Sequence, residues 1–127
     1  MPSNIRSQKK ISAPLLDRID LRISVDPVEI KDLESKPSAD SESSTMILAR
    51  VLQARSRQQK RFEGLPINLN KEMNIKTIDT LCVLAEPCRE LLRKAADKMK
   101  LTARGYHRTI KVARTIADLA DSGTIET

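Results

Sequence analysis

The chain has 127 residues, about one domain on the usual length prior and too short for a large multidomain machine. Lys and Arg total 23 against 17 acids, and the net charge of +6 suits an anionic partner such as nucleic acid, nucleotide or phosphate. Phe62 and Tyr106 are its only aromatic residues, which excludes a surface that stacks bases on several rings.

No apolar run exceeds five residues, so no membrane span or membrane partner is expected. The N-terminus does not resemble a signal peptide, and two cysteines make no disulfide framework; a reducing, cytoplasmic setting is the expectation. Charge is uneven along the chain. Residues 1–43 carry 7 bases and 8 acids, whereas 44–127 carry 16 bases and 9 acids, so the whole excess lies in the second part.

Leu21, Ile23 and Val25 alternate with Arg22 and Ser24 until Pro27, which predicts one short strand. A lone strand is not stable in water and asks for a sheet that these residues do not supply. Residues 1–34 therefore read as an arm cut from a larger core, and residues 35–44, rich in Ser, as a flexible loop. From 45 to 127 the pattern is helical. Ser44 or Thr45 caps a helix on which Ile47, Val51 and Ala54 recur at three- and four-residue steps, and Gly64-Leu65-Pro66 stops it at about Phe62. A short helix follows at Ile75–Leu84, with Ile78, Leu81 and Cys82 inward. Pro87 opens the next, whose apolar stripe is Cys88, Leu91, Leu92, Ala95 and Met99, with Glu90 and Lys94 paired on the other side. Thr102 caps the last helix, which presents Tyr106, Ile110, Ala113, Ile116, Ala117 and Ala120 as its apolar face. The fold class is mainly α: a small four-helix bundle preceded by an arm with one β-strand.

Candidate sites separate by spacing. Cys82, Cys88 and His107 lack the close cysteine pairing of a structural zinc site, so no metal is expected and both thiols read as buried hydrophobes. Asp17 and Asp20 flank Arg18 without a nucleophile or His nearby, which favours ion pairing or capping over acid–base work. Three scattered glycines cannot build a phosphate loop. The first helix carries Arg50, Arg55, Arg57, Lys60 and Arg61, with no acid between Ser43 and Phe62. Arg50, Arg57 and Arg61 share a stripe, either a DNA-phosphate contact or a solvated face. Arg104 and Arg108 open the last helix, where a cation is unfavourable unless a phosphate or a carboxylate answers it.

Two segments resemble a known family. Ile11-Ser12-Ala13-Pro14-Leu15-Leu16-Asp17-Arg18-Ile19-Asp20-Leu21 is similar to a segment of magnesium-chelatase-like AAA+ ATPases, with Ala13 where the family usually has Gly. Leu101-Thr102-Ala103-Arg104-Gly105-Tyr106-His107-Arg108, followed by Ala113-Arg114-Thr115-Ile116-Ala117-Asp118-Leu119, resembles the C-terminal signature of the ComM competence branch, and Arg50-Val51, Ala54-Arg55, Gln58 and Arg61 fit it too. The resemblance implies the end of an ATPase core and most of its helical lid, with Walker A and B segments upstream and a further helix after Ile125. It also implies a hexameric ring that uses ATP and Mg²⁺ in the full-length protein, with neither bound by this part alone, which is inactive by itself. Arg18 matches the arginine finger acting on the neighbouring subunit. Arg104 matches the second sensor arginine, and Arg108 joins it on the nucleotide. The implied activity is DNA branch migration in transformation or recombination. The alternatives are a chelatase motor subunit and a stand-alone basic helical DNA-binding module.

Overall fold

The computed structural model describes residues 12–16, 18–34 and 41–126, in two units that divide between Pro37 and Ser38. In the first unit, α1 (Ala13–Leu16) is a single turn, in which the Ser12 carbonyl accepts from the N–H groups of Leu15 and Leu16 at 3.0 and 3.1 Å. The chain leaves it through Arg18 and Ile19, whose N–H groups donate back to the carbonyls of Leu15 and Leu16. Residues 21–29 take no regular structure, and then α2 (Ile30–Glu34) forms.

The strand expected at 21–25 is therefore absent among the described residues. Leu21, Ile23 and Val25 are 65%, 83% and 81% exposed. Alternation creates an apolar edge, but a strand also needs a neighbour for its N–H and C=O groups and a layer to bury that edge. The described residues supply neither. Most of the expected loop, residues 35–40, lies outside the described residues.

The second unit is the helical bundle. Its first helix, α3 (Ser44–Arg61), begins one residue earlier than the pattern suggests, because Ser43 is the cap: its Oγ accepts from the Met46 N–H at 3.2 Å. Beyond Phe62 the chain turns through Gly64, at a φ of 79° that a side chain would resist. A 3-10 turn (Asn70–Glu72) follows, held by the Glu72 carboxylate accepting from the N–H groups of Asn68 and Leu69 at 2.8 and 3.0 Å. Next come α4 (Ile75–Leu81), capped by Asn74, and α5 (Glu86–Met99), with Pro87 in its first turn. The last helix, α6 (Ala103–Leu119), starts where Thr102 Oγ1 accepts from the Gly105 N–H at 3.0 Å. It closes at Asp121, left-handed at φ 60°, with Ser122 N–H donating to the Ala117 carbonyl and Asp121 N–H to that of Asp118.

The core is Phe62, Met73, Ile78, Cys82, Ile110, Ala117 and Ile125, which come from every part of the unit except α5. Helix α6 is central: α3 packs against it most extensively, then the 3-10 turn and α4. No residue of α5 is buried. Of its expected stripe, Cys88, Leu92 and Ala95 are half-buried beside Ile110, Ala113 and Ile125, whereas Leu91 and Met99 remain exposed. The Glu90–Lys94 pair forms as the spacing requires, at 2.7 Å.

Candidate functional site

The face that α6 buries is not the purely apolar one its periodicity suggests. Ile110 and Ala117 are buried and Tyr106 and Ala113 half-buried, but Ile116 is 60% exposed and Ala120 is exposed as well. Arg114 and Asp118 go inward instead. The Asp118 side chain is 0% exposed and that of Arg114 4%. Two charges so deep are tolerable only when each is met by a partner of good geometry.

Each is met. Arg61, at the end of α3, reaches Asp118 with both terminal nitrogens, one of them at 2.8 Å, and also donates to Asn70 Oδ1 at 2.9 Å. Arg114 approaches the same carboxylate at 3.1 Å, one helical turn away, and donates to the carbonyls of Ser122 and Gly123. Asn70 donates from Nδ2 to Asp118 at 2.8 Å and to Thr115 Oγ1 at 3.0 Å, while its backbone N–H donates to Gln58 Oε1. Burial by itself would push the Asp118 carboxyl up. The hydrogen bonds from Arg61 and Asn70, together with the charges of Arg61 and Arg114, outweigh it and hold the group below its ordinary value. This polar clasp joins α3, the 3-10 turn and α6 at one buried carboxylate. The i,i+4 spacing of Arg114 and Asp118 was its one visible trace in the sequence.

The clasp also answers the question of the basic stripe. Arg61 is turned inward to Asp118. Arg57 donates through Nε to Asp121 Oδ1 at 2.8 Å and through Nη2 to the Asp121 carbonyl at 3.0 Å, with Gln53 on the same carboxylate. Arg50 grips Glu42 with two bonds at 2.6 and 2.9 Å, which lower the Glu42 carboxyl below its usual range. Of the residues expected to contact phosphate, Arg50, Arg57 and Arg61 all form ion pairs within the unit, and Arg61 alone of the three is turned deep into it. Arg50 stays exposed to solvent while paired. An aligned row of cations without acids on its own helix finds its acids on other segments, which periodicity does not reveal.

Arg104 and Arg108 lie where the sequence puts them, in the first two turns of α6 behind the Thr102 cap. Arg104 is exposed and meets no carboxylate among the described residues; Arg108 is half-buried. Gly105 is buried against Thr102 and Leu101, so the backbone at this helix start packs closely. A capped helix start with an exposed guanidinium can receive an anion. In the first unit Arg18 is exposed on the turn after α1, while Asp17 lies outside the described residues. No group of three or more His, Cys, Asp or Glu side chains that could hold a metal ion occurs among the described residues. His107 Nδ1 donates to the Ala103 carbonyl at 2.7 Å, and burial raises the Cys82 thiol above its ordinary value. No helix of the described residues is long and apolar enough to cross a membrane.

Residues 41–127 match the family described as magnesium chelatase, subunit ChlI C-terminal. The chain is 36% identical over 115 residues to competence protein ComM of Haemophilus influenzae, covering 91% of this chain and 22% of that protein. It is 34% identical over 121 residues to YifB of Escherichia coli, covering 95% of this chain and 23% of the relative, and 32% identical over 115 residues to YifB of Salmonella typhimurium, covering 91% and 22%. The chain thus spans under a quarter of the length of the relatives it matches.

Proposed function

The chain belongs to the magnesium chelatase ChlI C-terminal family, and from that premise we propose that it forms the end of the core and the helical lid of a ComM-like AAA+ ATPase that moves DNA branches. The observation that carries this reading is Arg104, exposed at the capped start of α6 without a carboxylate among the described residues, on a helix whose other end is anchored by a buried clasp. In this reading Arg104 is the second sensor arginine, with Arg108 beside it on the nucleotide. The chain's part of the chemistry is electrostatic. Hydrolysis spreads negative charge over the γ-phosphoryl oxygens, and a planar, permanently charged guanidinium contacts two of them at once.

Arg18 acts on the neighbouring protomer's nucleotide as an arginine finger, a contribution worth ~10³–10⁵ in turnover where such fingers have been dissected. ATP and Mg²⁺ are bound mainly by segments outside this chain, whose own acids offer no cluster for the metal among the described residues. The ring is a hexamer in this reading. The test is Arg18→Ala and Arg104→Ala in the ATPase that carries this chain. Arg18→Ala abolishes hydrolysis and leaves nucleotide binding in place; unchanged turnover in both variants rejects the assignment. The chelatase motor, which shares the architecture, is separated by substrate: stimulation of hydrolysis by branched DNA supports the DNA-directed reading.

A further inference from the structure

The two long helices α3 and α6 run antiparallel and do not end together. Arg61 reaches Asp118, whereas Arg57 and Gln53 reach Asp121, already past Leu119 at the end of α6. Going back toward the start of α3 therefore leaves its neighbour behind. The chain beyond Asp121 turns elsewhere: Arg114 holds the carbonyls of Ser122 and Gly123, and the Ile125 carbonyl accepts from Cys88 of α5. Ala54 is accordingly the first buried residue of α3, and every residue from Ser44 to Gln53 is exposed. About 15 Å of helix projects from the bundle. A projecting helix in water is expected to be polar, and this one is not. Ile47, Leu48, Val51 and Leu52 fall on one face, and each is between 39% and 59% exposed. Together they leave about 400 Å² of apolar surface uncovered, the size of the largest patch on a typical monomer, which is often functional. The charge differs from that of the surrounding unit as well. Residues 41–53 carry one base and one acid, Arg50 and Glu42, and these pair with each other.

We propose that this projection is a self-association site, on which a second copy of the chain lays the same helix antiparallel. A two-fold contact uses one patch twice, so the patch has to complement itself. An apolar, neutral face meets that condition. Two copies approach there without the like-charge repulsion that the rest of this basic unit imposes, and a nucleic acid gains no charge contact from it. A symmetric register sets Ile47 against Leu52 of the second copy and Leu48 against its Val51, which covers all four side chains. The same register brings exposed Arg55 to the second copy's helix start, beside its Glu42. With these flanking groups the pair buries on the order of 1,000 Å² in total, the lower limit for a specific interface, so it is weak and dissociates at roughly 10–100 μM. Such a contact is isologous, unlike the head-to-tail contacts of a ring, and forms independently of ring assembly.

Sedimentation equilibrium of the 127-residue chain, from about 5 to 500 μM, tests this. The weight-average mass of the wild type rises from 14.3 kDa toward twice that value, and added salt does not weaken the rise, because the contact is apolar. Leu48→Glu/Leu52→Glu alters two positions that are exposed in the single chain, so its far-UV circular dichroism matches the wild type while its mass stays at 14.3 kDa. Ile23→Glu/Val25→Glu and Leu91→Glu/Met99→Glu, at other exposed apolar positions, associate like the wild type. A wild-type mass that stays monomeric over the whole range overturns the proposal. So does association that either control abolishes, or that Leu48→Glu/Leu52→Glu leaves intact. A monomeric 127-residue chain, together with a lowered thermal midpoint for Leu48→Glu/Leu52→Glu in the ATPase that carries it, assigns the face to that protein's own core and overturns the proposal too.

Discussion

Asp118→Asn is the sharpest perturbation the bundle offers, because it preserves the volume and removes only the charge. It leaves the guanidinium groups of Arg61 and Arg114, whose side chains are 15% and 4% exposed, without their shared anion. Removing one partner of a buried pair costs about 3–5 kcal/mol, most of it the burden of the orphaned charge. A unit of this size holds ~5–15 kcal/mol in total, and each kcal/mol moves its midpoint by ~4–8 °C. The thermal midpoint therefore falls by roughly 12–40 °C. Far-UV circular dichroism in a urea titration reads the loss, since the chain has no tryptophan. A double-mutant cycle with Arg61→Met isolates the pair: once Arg61 is gone, Asp118→Asn costs measurably less. A loss below about 1 kcal/mol, the size of an exposed pair, would refute the claim that this clasp holds α3 to α6.

Four further outcomes follow from the same geometry. Asp118 is held below its ordinary pKa of 3.8 in the folded state, so the unfolded chain binds more protons near that pH; stability is intact above it and falls as pH drops through the lower folded value, with a flatter profile in Asp118→Asn. Arg50→Ala removes an exposed pair with Glu42 and leaves the urea midpoint within error of the wild type, whereas a large shift would show α3 to depend on that contact. Lys100 closes α5 at a φ of 50°, so Lys100→Gly relieves a left-handed side chain and raises stability by ~0.5–1 kcal/mol, less any gain of freedom in the unfolded chain; a lower midpoint refutes the strain. Half-buried Cys88 reacts with a thiol reagent well before buried Cys82, whose thiol burial has raised, and equal rates would contradict the packing of Cys82 against Met73.

What the sequence determined by itself is local. Apolar spacing, Pro87, the Thr102 cap and the Gly64 turn place the four bundle helices, although the second ends at Leu81 rather than Leu84 and the cap of α3 is Ser43 rather than Ser44 or Thr45. The start of α6, with Arg104 exposed behind its cap, was legible for the same reason: capping and helix phase act within a few residues. Tertiary structure decided what depends on distant partners. Segment 21–25 has the pattern of a strand and no neighbour among the described residues to pair with. Arg57 and Arg61 look like a solvent-facing stripe until acids 64 and 57 residues further along reach them. Asp118 looks like a surface residue until Arg61, Asn70 and Arg114 converge on it, because a charge enters a core only when the fold delivers its counter-charges, and such delivery has no period along the chain.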